Sequence, residues 1–195
     1  MTHTSPHIAI IAGPNGAGKS TCGPAVVQNH FHIKELVNAD TIAAGISAFQ
    51  PEAVAIEASR IMLKRLKQLA DSEVNFAFET TLASRSFAPW IRKIKTQAYQ
   101  FTLVYFWLLT PELAVERVAE RVRLGGHNVP PETIRRRYTS SIQNFFSLYR
   151  PIADNWCIYD NSEVNNPKLI ADGTLKDNCN VHLDDQWKLF KSYQK

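Results

Sequence analysis

The chain has 195 residues, 45% of them hydrophobic and 21% charged; this is globular composition, which excludes disordered and fibrous classes and leaves enough chain for one ordinary domain. A formal net charge of +4 suits an anionic ligand without separating phosphate, nucleotide or nucleic acid from a merely basic surface. Cys22, Cys157 and Cys179 form no C-x-x-C pair, which argues against a disulfide framework and a zinc ribbon. The longest strongly apolar run, Phe101 to Leu109, is far short of the roughly 20 residues of a membrane helix.

The opening MTHTSPH is polar and carries no secretory or transit pattern, so a soluble cytoplasmic protein without membrane partners is expected. Ile8 to Ala12 is a short aliphatic strand. It runs into Gly13, Pro14, Asn15, Gly16, Ala17, Gly18, Lys19 and Ser20, a full G-x-x-x-x-G-K-[ST] match. Strand before and helix after are the context that this motif needs. Its glycines let backbone N–H groups turn inward on phosphate oxygens, and the helix N-terminus adds partial positive charge. Lys19 is expected on the β- and γ-phosphates and the Ser20 hydroxyl on Mg²⁺, with Thr21 completing the nucleotide-binding run. ATP or GTP is the implied phosphate donor. A helix over 18–29 follows, and His30, Phe31 and His32 read as a loop.

Leu36 to Asp40 is a second strand, ending on Asp40. Pro51 to Ser72 has a clear helical period, with Ile61, Met62, Leu66 and Leu69 on or near one face. Asn75 to Thr81 (NFAFETT) is a strand that closes on Glu79, Thr80 and Thr81. Carboxyl ends of parallel strands lie beside the P-loop, so Asp40 and Glu79 should converge on the γ-phosphate. Asp40 is the candidate base for an acceptor hydroxyl. Glu79, Thr80 and Thr81 are candidate acceptor ligands, Glu79 alternatively holding the metal through water. The plainer reading makes Asp40 a helix cap and Glu79 an ion-pair partner.

A helix over 86–98 and an aromatic strand over 101–109 come next. Pro111 opens a helix that ends at Gly125 and Gly126. It carries Arg117 and Arg121 four apart on one face, then Arg123, and His127 follows in the loop. With Arg135, Arg136 and Arg137 these form a basic lid over about 117–137, expected to be mobile and to close over the transferred phosphoryl group. Arg117 and Arg121 are the first candidates for stabilising the transition state, and His127 for contacting substrate. One helix over 132–150, a fifth strand from Trp156 to Asp160, and a tail from Lys168 with a strand and closing helix complete the chain. His182 near Asp184 and Asp185 lacks metal-ligand spacing.

Strand–helix alternation predicts an α/β fold: a P-loop NTPase/kinase-like parallel sheet with helices on both faces, in one domain over 1–195. ATPases of the transporter class and GTPases are disfavoured, because S-G-G-Q and N-K-x-D motifs are absent. A small-molecule kinase leads; a regulatory ATPase on a polyanionic partner is the alternative, and nucleic acid itself is not expected as a partner.

The order P-loop, VNAD, FAFETTL, ERVAERVRLGGHNVP, RRRY and WCIYDNS resembles the zeta-toxin-like P-loop kinases, in their short single-domain bacterial branch. The resemblance spans about Ile8 to Ser162. It implies phosphoryl transfer from a nucleotide triphosphate to a hydroxyl of a nucleotide-sugar such as UDP-N-acetylglucosamine, and a small antitoxin as partner. It casts Lys19 as phosphate-binding lysine, Asp40 as base and Glu79 as acceptor-binding acid. The shorter stretch between the arginines and VP leaves the family's lid arginines without one-to-one positions here.

Overall fold

In the computed structural model, which describes residues 5–164, 166–175 and 179–194, a seven-stranded sheet organises the chain. The opening MTHT lies outside the described residues. Strands β1 (His7–Ala12), β2 (Glu35–Val37), β3 (Phe76–Thr80), β4 (Gln100–Trp107) and β5 (Asn155–Asp160) are parallel. Then β6 (Lys168–Thr174) and β7 (Cys179–Val181) add an antiparallel edge, giving the order β2-β3-β1-β4-β5-β6-β7. The tail thus forms two strands where one was expected, followed by a helix, α7 (Asp184–Ser192).

Ile8 to Ala12 are fully buried at the centre of the sheet, as a parallel strand covered on both faces requires. One face packs on helices α4 (Phe87–Lys95) and α7. Phe78 meets Phe87 and Trp90, and Tyr105 and Trp107 meet Phe190. The opposite face carries α1 (Lys19–Phe31), where Ile11 lies directly under Gly23. Glu79 is in register with Ile11, so the pleat sends its carboxylate toward α1.

Three elements differ from expectation. First, α1 continues through Phe31, which packs on the core; His32, in the left-handed region, then ends the helix with its N–H on the Gln28 carbonyl. Second, Asp40 does not end a strand. It sits in the first turn of an unforeseen helix α2 (Ala39–Ile46), because the Asn38 side chain accepts from the Asp40 and Thr41 N–H groups and caps it. A 3₁₀ turn at Pro51–Val54 then leads into α3 (Ala55–Asp71). Third, the helix expected over 132–150 is regular only as α6 (Pro131–Asn144). Phe145–Tyr149 widens into a π turn that buries Phe145, Phe146 and Tyr149 together. Pro151, without an N–H, bars an α-helical continuation. Helix α5 (Pro111–Arg123) closes in a Schellman turn, with Gly126 N–H on the Arg121 carbonyl and Gly125, φ 85°, donating to Val122.

Candidate active site

The chain's order of strands reverses around β1, whose neighbours are β3 and β4, and the crevice above this switch point is where such sheets bind ligands. A cleft of about 860 Å³ opens there, lined by the P-loop, Asp40, Glu79, Thr80, Arg121 and Arg137, among others.

The P-loop fits its place closely. Gly13 has φ 139°, and a Cβ there would stand 2.0 Å from the Phe106 carbonyl oxygen. Gly13→Ala must therefore push β1 and β4 apart at their ends. A loss of at least about 1–3 kcal/mol, the ordinary cost of overpacking, is expected in the urea midpoint, together with loss of nucleotide binding. Asn161, just beyond β5 and 3% exposed, braces the loop by donating to the Ala17 carbonyl at 2.9 Å.

Lys19 donates to the carbonyls of Gly13 and Pro14 at 2.9 and 2.8 Å. Burial pushes its ammonium down to about 8, against the opposing pull of Glu79 and Asp40 and with the help of Arg121 and Arg137. Since that value lies below the usual 10.5, free Lys19 loses its proton as pH rises through about 8. A bound triphosphate restores the charge. Nucleotide binding without magnesium should therefore weaken above about pH 8 and take up close to one proton at about pH 9. Calorimetry in buffers of different ionisation heat reads this directly, and Lys19→Met should abolish the uptake.

Glu79, 8% exposed, accepts from the Ser20 hydroxyl at 2.8 Å. Burial raises its carboxyl above the usual range despite Ser20 and Lys19. A buried carboxylate facing a P-loop hydroxyl is a pair of hard oxygen donors of the kind Mg²⁺ takes. Among the described residues there is no group of three or more His, Cys, Asp and Glu that could hold a metal ion, so the phosphates would have to complete any coordination shell. Asp40 projects from the first turn of α2 into the same cleft, where its charge reaches both Lys19 and Glu79. Since Asn38 does the capping, the Asp40 carboxylate is not used up by α2. Thr80 and Thr81 also line the cleft, their hydroxyls accepting from Leu82 and Ala83 N–H. Asn144 holds that turn from α6 by donating to the Leu82 and Ala83 carbonyls at 2.9 and 3.1 Å.

The lid arginines separate. Arg121 lines the cleft, donates to the His127 carbonyl at 2.8 Å and has a buried Nε without a partner. Arg117 also lines the cleft, with its two terminal nitrogens each donating over 2.7 Å to a carbonyl, of Asn161 and of Ser162. Arg123 pairs with Glu120 at the surface, and Arg135 with Glu112. Arg137, undistinguished from its neighbours in sequence, is the member of the triple that reaches the cleft. The signal was the α6 period: Ile134, Tyr138, Ser141 and Ile142 are buried, and position 137 flanks that stripe. His127 lines the cleft 3.1 Å from Glu52 Oε1, which also accepts from Asn128 N–H, so the loop after α5 rests on the turn at Pro51–Val54. Asn38 and Asn161 were missed as well; both are polar residues just past parallel strands, where ligands gather. His182 lies away from this site and contacts Asp172 at 2.5 Å.

The Zeta toxin family model matches residues 1–166. The chain belongs to the Zeta toxin family. A relative from Haemophilus influenzae, known only as an uncharacterized protein, is 26% identical over 126 residues, covering 65% of this chain and 88% of that one. Among solved structures, this chain is similar to one of the PezAT chromosomal toxin–antitoxin system of Streptococcus pneumoniae, with TM-score 0.64 and 15% identity over 98% of this chain and 86% of that one. The AvrRxo1-ORF1:ORF2 structure with ATP matches at TM-score 0.71 and 14% identity, over 99% of this chain and 65% of that one. A putative kinase from Chloroflexus aurantiacus matches at TM-score 0.55 and 16% identity, over 70% and 78%. At such identities the structural likeness is one of fold: the P-loop kinase fold. Among the described residues no helix is long and apolar enough to cross a membrane.

Proposed function

We propose that the chain is a kinase that transfers the γ-phosphate of ATP or GTP to a hydroxyl of a small-molecule acceptor, a nucleotide-sugar such as UDP-N-acetylglucosamine. The observation that carries this reading is the meeting of Asp40, Glu79 and Lys19 over one P-loop, close enough for both acids to act on the lysine. The P-loop N–H groups and Lys19 hold the triphosphate, and Ser20 with Glu79 would hold Mg²⁺. When bound, the ion would neutralise part of the phosphate charge. Thr80, Thr81 and His127 border the space left for the acceptor. Asp40 takes the hydroxyl proton as the acceptor oxygen bonds to the γ-phosphorus. The bond from that phosphorus to the β–γ bridging oxygen breaks, and the nucleoside diphosphate leaves. Arg121 and Arg137 face the charge that develops on the moving group.

A regulatory ATPase would leave Asp40 without an acceptor hydroxyl to serve. Family membership and the likeness to a structure from a toxin–antitoxin system support a small antitoxin as partner, and a cytoplasmic setting belongs to the same proposal. The test is incubation of the purified protein with γ-labelled ATP and a panel of nucleotide-sugars. Label appearing in an acceptor, and only when that acceptor is added, supports the reading. Release of free phosphate alone, indifferent to every acceptor, overturns it.

A further inference from the structure

Arg121 stands in the last turn of α5, and a long side chain at a helix end keeps many rotamers unless something beyond the helix holds it. The loop that follows does so. The His127 carbonyl accepts from an Arg121 terminal nitrogen at 2.8 Å. Gly126 lies against the same side chain, where a Cβ would stand 2.6 Å from Arg121 Cγ. That loop is held in turn from the α2–α3 side. Glu52, in the 3₁₀ turn between those helices, accepts from the Asn128 N–H at 3.3 Å, and its Oε1 lies 3.1 Å from His127 Nδ1.

We propose that Glu52 is a positioning residue for phosphoryl transfer: through the loop of Gly126, His127 and Asn128 it holds the Arg121 guanidinium toward the transferred group. It thereby links the side of the cleft that carries Asp40 to the side that carries Arg121. The inference rests on the kinase reading and on the role given there to Arg121.

Three observations support it. First, the contacts form an unbroken chain, from Glu52 to His127 and Asn128, from His127 to Arg121, and from Arg121 into the cleft. Second, Glu52 is not among the described residues that line the cleft, so its carboxylate serves the loop and not a ligand. Its own N–H and that of Asn128 hold the carboxyl below its usual range, which keeps it an ionised acceptor. Third, Arg121 Nε is buried without a hydrogen-bond partner. An unpaired buried donor is costly, and a freely rotating side chain would turn it to water. The His127 carbonyl and the close-lying Gly126 keep it in place, ready for an anionic oxygen.

Two readouts test this, and Glu52, with its side chain 48% exposed, is a site where substitution should leave the fold intact. In nuclear magnetic resonance, the Arg121 Nε–H signal is assigned by its disappearance in Arg121→Ala. It should be protected from exchange with water in the wild type and lost to exchange in Glu52→Ala. The second readout is single-turnover transfer of label from saturating γ-labelled ATP to UDP-N-acetylglucosamine, or to water where no sugar takes label. Glu52→Ala should slow it by about tenfold or more, as small misplacements of a catalytic group do, while ATP affinity stays within about twofold. Loss of charge alone would not slow transfer, because removing an anion near the cleft favours a polyanionic nucleotide. Glu52→Gln keeps an oxygen for the Asn128 N–H and should recover most of the rate. In an Arg121→Ala background, Glu52→Ala should cost less than about twofold more, since both changes act on one group. Gly126→Ala crowds Arg121 with Glu52 intact; it should also slow transfer, and it decides the matter if Glu52→Ala does not fold. Unchanged Nε–H protection in Glu52→Ala overturns the proposal. So does a rate within about twofold of wild type, or the same fractional loss with and without Arg121. Label passing only to water would instead strike at the kinase reading, and the effect of Glu52 on Arg121 would still be read from the Nε–H signal.

Discussion

Asp40→Asn is expected to slow phosphoryl transfer by about 10²–10⁴-fold, the usual contribution of a positioned general base, while ATP affinity changes by no more than about twofold. The substitution keeps the size of the side chain and its place in the first turn of α2. That turn is capped by Asn38, not by Asp40, so the helix should be undisturbed. What goes is the carboxylate proposed to take the proton of the acceptor hydroxyl. One side effect follows from the charges. Asp40 helps to raise the Lys19 ammonium against burial, so Asn at 40 should move the onset of weakened nucleotide binding below about pH 8. Single-turnover transfer at saturating ATP, together with calorimetric affinity, separates the outcomes. A large loss of nucleotide affinity with metal present would make Asp40 part of the metal's surroundings, and the base would lie elsewhere.

The parts of this site that were legible in sequence are those set by short-range rules. The P-loop declares itself because glycine spacing, preceding strand and following helix are all local. Glu79 was readable because it lies at the end of the run NFAFE, one residue before β3 stops at Thr80, and parallel strands end at the site. Its partner was not, since the Ser20 contact depends on the pleat that puts position 79 in register with Ile11 across β1. Helix α2 escaped notice because it has only 8 residues and includes Gly45, leaving too little pattern against the pull of the strand-like Leu36 and Val37. The end of α6 was misjudged because burial of three aromatics together, rather than helix propensity, shapes Phe145–Tyr149. Arg117 and Arg121 share a helix face, yet their guanidiniums part. One is captured by the Asn161 and Ser162 carbonyls, which come from a strand end 44 and 45 residues away. Sequence spacing carries no trace of such a long-range contact.

Arg121→Ala should cost about 10³-fold or more in the single-turnover rate, within the range for an arginine that stabilises the phosphoryl-transfer transition state, and much less in ATP affinity. Two features single it out from the other lid arginines. Its charge bears on Lys19, so it stands near the phosphates. Its Nε is buried and has no hydrogen-bond partner, a state that costs about 1–3 kcal/mol unless an acceptor arrives. A phosphoryl oxygen is such an acceptor, and its negative charge makes the bond stronger than a neutral one. Arg121→Lys should recover only part of the rate, because an ammonium cannot reproduce the planar two-pronged contact. Arg123 supplies the control on the same helix. It is exposed and paired with Glu120, and Arg123→Ala should change rate and affinity by no more than about twofold, as surface pairs do. Arg137 faces the same centre from α6, so the double variant Arg121→Ala/Arg137→Ala should lose less than the product of the single losses, because both act on one group. If Arg121→Ala and Arg137→Ala each turn over at nearly the wild-type rate, then the charge on the transferred group is met by Lys19, the P-loop N–H groups and the metal alone, and the lid serves only to enclose it.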